Sequence, residues 1–468
     1  MKARRPLTGL TDAAALQMQR RPAAPAGVRP RSYAQSRIVT SDAFIETLAT
    51  GFMLLAVIAT FTISASVMTN WKIHYLTAGG NFYEKLHPAT YFTVAALSLL
   101  LMRSRGPAGE IDRMFSESKL LLAYLLCWLL LLVQVFMLGR PFTVIIDTFL
   151  LPILIAMVMW QLSAAQKRPL VWAVHCTILL NVVLGYYEYF SGHRLFPLTL
   201  GDVVVMGEWR SAALLGHPLT ASGIVAAYVL ALVLRPALCP PLLLRLPLIA
   251  ISLASLMAFG GRTSLVTVLV AIGLIGGFEA LRLLRGRRTQ LPAAIIAICA
   301  LFVAGAGIFA ALDLGIFDKM LLRFSSDKGS ALARYATFSL LSHFDWYELI
   351  LGPNPVRVNA LQSQLGLNYG IENFWISCVV QFGLIHTILL TIGLVCFFVE
   401  LLRRSSRATW AIVLLIIVIA ASSVSFSSKN IQLAQFVILI SLLLPRGRRT
   451  AAVPAQVRSP VSYRSVPA

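Results

Sequence analysis

The sequence predicts an all-α polytopic membrane protein with about 12 transmembrane helices and a large periplasmic loop between the ninth and tenth, and three observations predict it. First, 58% of its 468 residues are hydrophobic, only 13% are charged and mean hydropathy is +0.79, more apolar surface than a water-soluble core can hide. Second, the apolar residues gather in long runs. About 20 residues of helix cross a hydrocarbon core of about 30 Å while satisfying their own backbone hydrogen bonds. Third, the net charge of +21 is placed unevenly. Of 40 Lys and Arg residues, 28 fall in seven clusters, at Lys2 to Arg37, Arg103 to Lys119, Lys167 and Arg168, Arg235 to Arg245, Arg282 to Arg288, Arg403 to Arg407 and Arg446 to Arg464. These clusters alternate with poorer loops, which is the positive-inside bias. The charge therefore encodes topology and implies no nucleic-acid partner, and both termini are expected in the cytoplasm.

In chain order, residues 1–42 are rich in Arg, Pro and Ala and read as a disordered basic cytoplasmic tail. The apolar run that follows is longer than a signal-peptide core and lacks a small-residue cleavage site after it. The transmembrane domain, residues 43–444, then contains helices expected near Ala43–Ser66, Pro88–Met102, Leu120–Leu138, Phe142–Leu162, Leu170–Phe190 and Ala212–Leu234. Six more follow, near Pro241–Phe259, Thr263–Leu281, Pro292–Leu314, Asn373–Leu402, Thr409–Phe426 and Ile431–Leu444. Residues 445–468 read as a second disordered cytoplasmic tail. Five of the six cysteines lie in apolar runs and Cys239 sits beside prolines. None has metal-ligand spacing, so no metal and no cofactor is expected.

The outer loops carry the information. Residues 191–211 form one, and residues 315–372 form another that is far longer than the connections usual in compact domains. The second is too apolar for a floppy linker. Leu332, Tyr335, Phe338 and Leu341 recur at helical spacing over Ser330–Leu341, which predicts an amphipathic helix at the outer membrane surface, and Gly352-Pro353-Asn354-Pro355 ends that stretch of structure. The absence of an internal repeat speaks against an inverted-repeat transporter.

Charge on the outer face gathers near expected helix ends: Arg210, Arg262, Arg323, Arg334 and Glu372. Guanidinium groups bind phosphate bidentately and stay charged, and a carboxylate beside them can accept a proton from an attacking hydroxyl. An arginine in such a loop is more ordinarily solvated or bound to a lipid headgroup, and Glu372 is equally suited to cap the helix after it. His175, Asn181 and Asp147 lie inside spans, where hydrogen bonds between helices are the preferred reading.

Trp209-Arg210-Ser211-Ala212-Ala213-Leu214-Leu215-Gly216-His217-Pro218, Phe259-Gly260-Gly261-Arg262-Thr263, Ala333-Arg334-Tyr335, Leu351-Gly352-Pro353, Ile371-Glu372-Asn373-Phe374-Trp375 and Gln381-Phe382-Gly383-Leu384 follow one another in an order and spacing that resembles the O-antigen ligase and polymerase family. The likeness covers roughly residues 191–402. Glu372 stands where many relatives carry His, a form more similar to the exopolysaccharide-polymerase branch, of the VpsF type. The resemblance implies a metal-independent glycosyltransferase of the bacterial inner membrane that joins undecaprenyl-pyrophosphate-linked repeats on the periplasmic face. In it Arg210, Arg262, Arg334 and Arg323 would hold the pyrophosphate, Arg210 and Glu372 would act in catalysis, and Glu372 would deprotonate the acceptor. His217, Asn373 and Trp375 are candidates for glycan contact, although His217 suits a structural role as well and Trp375 suits an interfacial anchor. The implied partners are a lipid-linked glycan donor, a glycan acceptor, membrane lipids, a chain-length regulator and a flippase. Two rivals stand: a ligase that passes glycan to another acceptor, and a polysaccharide transporter or flippase, which would place its polar groups near the midplane of broken helices.

Overall fold

The computed structural model describes residues 33–77, 79–103, 105–197, 199–200, 203–204, 210–234, 240–286, 313, 315, 330–367, 370–424, 426 and 428–446. Within them the chain is helical, apart from a two-residue antiparallel pairing of Thr199–Leu200 with Val203–Val204. The helices are α1 (Tyr33–Thr62), α2 (Ala65–Asn70), α3 (Pro88–Leu101), α4 (Gly106–Ser116), α5 (Lys119–Met137), α6 (Thr143–Gln161), α7 (Ala164–Ser191), α8 (Pro218–Val233), α9 (Leu242–Phe259) and α10 (Arg262–Leu284). After the long loop begins come α11 (Ser330–Leu341), α12 (Trp346–Leu351), α13 (Pro355–Gln364), α14 (Phe374–Phe382), α15 (Leu384–Arg404), α16 (Thr409–Ser422) and α17 (Gln432–Leu443).

Six of these are long and apolar enough to cross a membrane: the Asp42–Thr62 part of α1, α5, α6, α7, α10 and α15. Five shorter apolar helices accompany them, α3, α8, α9, α16 and α17. The expected run Pro292–Leu314 lies almost wholly outside the described residues, as do both chain tails beyond residues 33 and 446. Outward-facing positions on the long helices are apolar. Leu122, Leu126, Leu129, Leu130 and Val133 of α5 and Val266, Leu269, Val270 and Leu274 of α10 are all exposed, a surface that suits lipid and not water. Every residue of α17 is buried, as is nearly all of α8, so these two helices, apolar all round, form the interior that α6, α7, α9 and α16 pack against.

Four boundaries differ from the sequence reading for local reasons. Helix α1 starts at Tyr33, inside the segment read as tail. The run expected from Ala212 becomes helical only at Pro218, because residues 213–215 form a tight turn with Ala213 at φ 49 and Gly216 at φ 76. In α6, Pro152 has no N–H to give to Thr148, and the helix widens to a π turn over Ile146–Leu150 that carries Asp147 into the interior. The run Asn373–Leu402 is broken at Gly383 (φ 87) into α14 and α15.

The long loop is folded. Leu340, Phe344, Leu349, Val358, Leu367 and Ile371 form a small core with Ile376 and Val380 of α14. It rests on the bundle where two glycines cross: a Cβ on Gly383 would lie 2.6 Å from the Leu351 carbonyl carbon and 2.7 Å from the Gly352 nitrogen. Gln134 of α5 fastens the crossing by donating to the carbonyls of Leu351 (2.5 Å) and Phe382 (3.3 Å). On α11 the stripe Leu332, Tyr335 and Phe338 faces outward, and Thr337 and Leu340 face in.

Candidate functional site

Contacts sort the helix ends into two groups. At one end Arg103 pairs with Glu46 (2.9 Å), Arg404 donates to Glu117 O (3.0 Å) and Arg446 donates to Arg403 O (2.8 Å). The opposite end holds every described motif that carries the family resemblance.

Helix α7 ends in an αL glycine, Gly192 (φ 74), which leaves Glu188 in its last turn, fully buried. Its carboxylate accepts from the backbone N–H groups of Leu195 (2.9 Å), Ala212 (2.8 Å) and Ala213 (2.9 Å). Arg194 Nε adds a bond to Arg210 O at 2.8 Å. The backbone on which Arg210 sits is therefore clamped by two charged side chains. Ser211 N–H donates to Ala258 O (3.3 Å), which brings this strip beside the end of α9, four residues before Arg262.

Arg262 is the first residue of α10, after Gly260 in the αL region (φ 66). Gly261 is required because a Cβ there would collide with Ser222 of α8. Arg334 of α11 and Glu372 meet: Arg334 Nε lies 3.6 Å from Glu372 Oε2, with side chains 55% and 25% exposed. Asn373 caps α14 by accepting from Ile376 N–H (3.1 Å) and donates to Ala421 O (3.5 Å), so both ends of its amide are engaged. Trp375 packs against the main core and, edge to face, against Phe374. Arg323 and Trp209 lie outside the described residues. The structure thus joins Arg334 to Glu372, and it sets Arg210 and Arg262 on one adjoining strip.

A second polar cluster went unread in the sequence. Asp147, fully buried, accepts from Tyr75 Oη (2.9 Å), Thr90 Oγ1 (2.7 Å) and His87 N–H (3.1 Å), and Lys429 Nζ stands 3.8 Å away. Lys429 also donates to Tyr75 O (3.1 Å) and to Lys85 O and lies 3.7 Å from the centre of the Tyr75 ring. Burial pushes its amine down to about 8, against the pull of Asp147. His87 and His217 each precede a proline and cap a helix in the same way, Nδ1 accepting from the N–H of Ala89 (3.1 Å) or Leu219 (3.2 Å). Burial lowers the pKa of His87, and its Nε2–H reaches Ile63 O at 2.5 Å. The two His-Pro dipeptides were the available sequence signal for this cluster.

Inside the bundle, Asn181 donates to Phe61 O (2.9 Å) and accepts from Leu214 N–H (3.1 Å), and His175 Nδ1 meets Tyr228 Oη at 2.8 Å. These polar groups join helices to one another and to the motif-bearing turn. Among the described residues no three His, Cys, Asp or Glu side chains gather as a metal site. Compared with protein-family models, curated proteins and solved structures, the chain finds no match.

Proposed function

We propose that the chain is a glycan polymerase of the bacterial inner membrane, spanning it about twelve times with both termini cytoplasmic, and that it joins undecaprenyl-pyrophosphate-linked repeats on the periplasmic face. The observation that carries this reading is the approach of Arg334 Nε to Glu372 Oε2, 3.6 Å, at the end of the bundle that also holds Arg210 and Arg262. Cations grouped with one carboxylate at a single surface suit a lipid pyrophosphate lying at that surface, whereas a transporter would set its key groups near the midplane. The order of the motifs and their likeness to the O-antigen ligase and polymerase family support the same chemistry.

In this mechanism the arginines neutralise the pyrophosphate as the sugar C1–O bond breaks and its electron pair leaves with undecaprenyl pyrophosphate. Glu372 takes the proton of the acceptor hydroxyl, whose oxygen forms the new bond to C1 from the opposite face. The clamp made by Glu188 and Arg194 holds the Arg210 backbone in place during the reaction. The test is deletion and complementation with Arg210→Ala and Glu372→Ala. A polymerase predicts loss of long chains while single repeats persist on the outer leaflet. Normal polymer from both variants overturns the site, repeats trapped on the inner leaflet point to a flippase, and long chains left on the carrier lipid point to a ligase.

A further inference from the structure

A cavity of about 190 Å³ opens at the motif-bearing end, between the starts of α3, α8 and α17, and among its lining residues are Ser66, His217, Lys429, Gln432 and Gln435. Two amides in it have valences to fill. Gln432 is 0% exposed and Gln435 2%. Gln435 Nε2 donates to Thr60 O at 2.7 Å, but its Oε1, and both Oε1 and Nε2 of Gln432, have no hydrogen-bond partner among the described residues. Buried amides are ordinarily satisfied, so these atoms mark where a ligand's polar groups belong.

The open valences specify the chemistry. Two carbonyl oxygens need donors and one N–H₂ needs an acceptor. A hydroxyl supplies both. A phosphate dianion supplies acceptors only and would face two carbonyl oxygens with no proton to give. Local charge is also balanced: Lys429 is paired with Asp147 and two backbone carbonyls, and the α3 and α8 N-termini are already capped by His87 and His217. The volume matches the liquid share of roughly six waters at about 30 Å³ each, which is room for one pyranose ring.

We propose that this cavity seats one neutral sugar ring through neighbouring hydroxyls, recognised by Gln432 and Gln435. Its assignment to a glycan rests on the polymerase reading, and the site deepens that reading by giving the incoming chain a seat beside the turn that carries Arg210.

The experiment uses the full chain in lipid nanodiscs and saturation-transfer NMR with the methyl glycosides of glucose, galactose and mannose, with inorganic phosphate as competitor. At least one glycoside is expected to receive saturation. Its affinity should fall about tenfold or more in Gln432→Leu, which keeps the side-chain length but offers neither donor nor acceptor. Ser428→Trp, at an exposed lining position, should block the signal without disturbing buried packing and carries the test if Gln432→Leu does not fold. No transfer to any glycoside, unchanged transfer in Ser428→Trp or in folded Gln432→Leu, or displacement by phosphate would overturn the proposal. The readout needs no turnover. Glycoside binding alongside normal polymer from Arg210→Ala and Glu372→Ala sinks the polymerase reading alone, and loss of polymer in those variants without glycoside binding sinks the cavity alone.

Discussion

Replacing Glu188 tests whether one buried carboxylate organises the Arg210 turn. It accepts three backbone N–H bonds at 2.8–2.9 Å. In Glu188→Ala the donors of Ala212 and Ala213, each on a residue 1% exposed, lose their acceptor in a place water does not reach, while Leu195 N–H lies nearer the surface. Each orphaned buried donor costs about 1–3 kcal/mol, so the variant should lose about 2–6 kcal/mol of a total stability on the order of 5–15 kcal/mol. Glu188→Gln can keep one oxygen on Ala212 and Ala213 but turns an N–H₂ toward Leu195 N–H, and should lose about 1–3 kcal/mol. Glu279→Ala is the control. Its pair with Arg282 is 2.7 Å long and half exposed, worth less than about 1 kcal/mol. Denaturant titration in mixed micelles gives the ranking, and hydrogen exchange at residues 210–215 gives the location. Stability of Glu188→Ala equal to that of the control, with exchange at 210–215 unchanged, would refute the clamp.

Asp147→Ala strands the buried Lys429 cation and should cost about 3–5 kcal/mol, and adding Lys429→Met should recover part of that loss; additive losses in a double-mutant cycle would argue against coupling. Lys429 also predicts a pH dependence. Its folded value of about 8 lies below the ordinary 10.5, so the unfolded chain binds more protons between those values, and stability should rise with pH across that window, with the full cost of burying the charge present below about 8. Unfolding midpoints against pH should lose this slope in Lys429→Met. Gly261→Ala drives a Cβ into Ser222 and should cost about 1–3 kcal/mol, partly relieved by Ser222→Gly, as measured by the same titration. Arg334→Gln should change stability by less than about 1 kcal/mol, because the pair is half exposed, and yet abolish polymer in complemented cells.

Long apolar runs were legible because burial in lipid needs no pattern beyond length, and the ends of most helices followed from the charges and prolines that bound them. What escaped reading depends on contacts distant in sequence. The break at Gly383 was invisible in an apolar run, since it exists to let the backbone of Leu351 and Gly352 approach. The π turn at 146–150 follows from Pro152 but could not reveal that Asp147 would meet Tyr75, Thr90 and Lys429. Among the candidate residues, order in the chain placed Arg334 and Glu372 in one region, and the fold brings them to 3.6 Å. Glu188 was passed over because a carboxylate near the end of an apolar run resembles a solvated boundary, whereas here its partners are backbone N–H groups that a one-dimensional reading does not display. Gln432 and Gln435 were hidden for a similar reason, as they lie in a short terminal helix whose complete burial is set by its neighbours.

Glycan polymerisation by the purified chain tests the central claim most directly. The wild-type protein and Glu372→Gln are incubated in nanodiscs with one undecaprenyl-pyrophosphate-linked repeat unit, and glycan length and released undecaprenyl pyrophosphate are measured together. A polymerase yields a ladder of lengths with one carrier lipid released per bond formed, and Glu372→Gln, folded but without its proton acceptor, yields neither. The same ladder from wild type and Glu372→Gln, or intact repeats from both, would contradict the account.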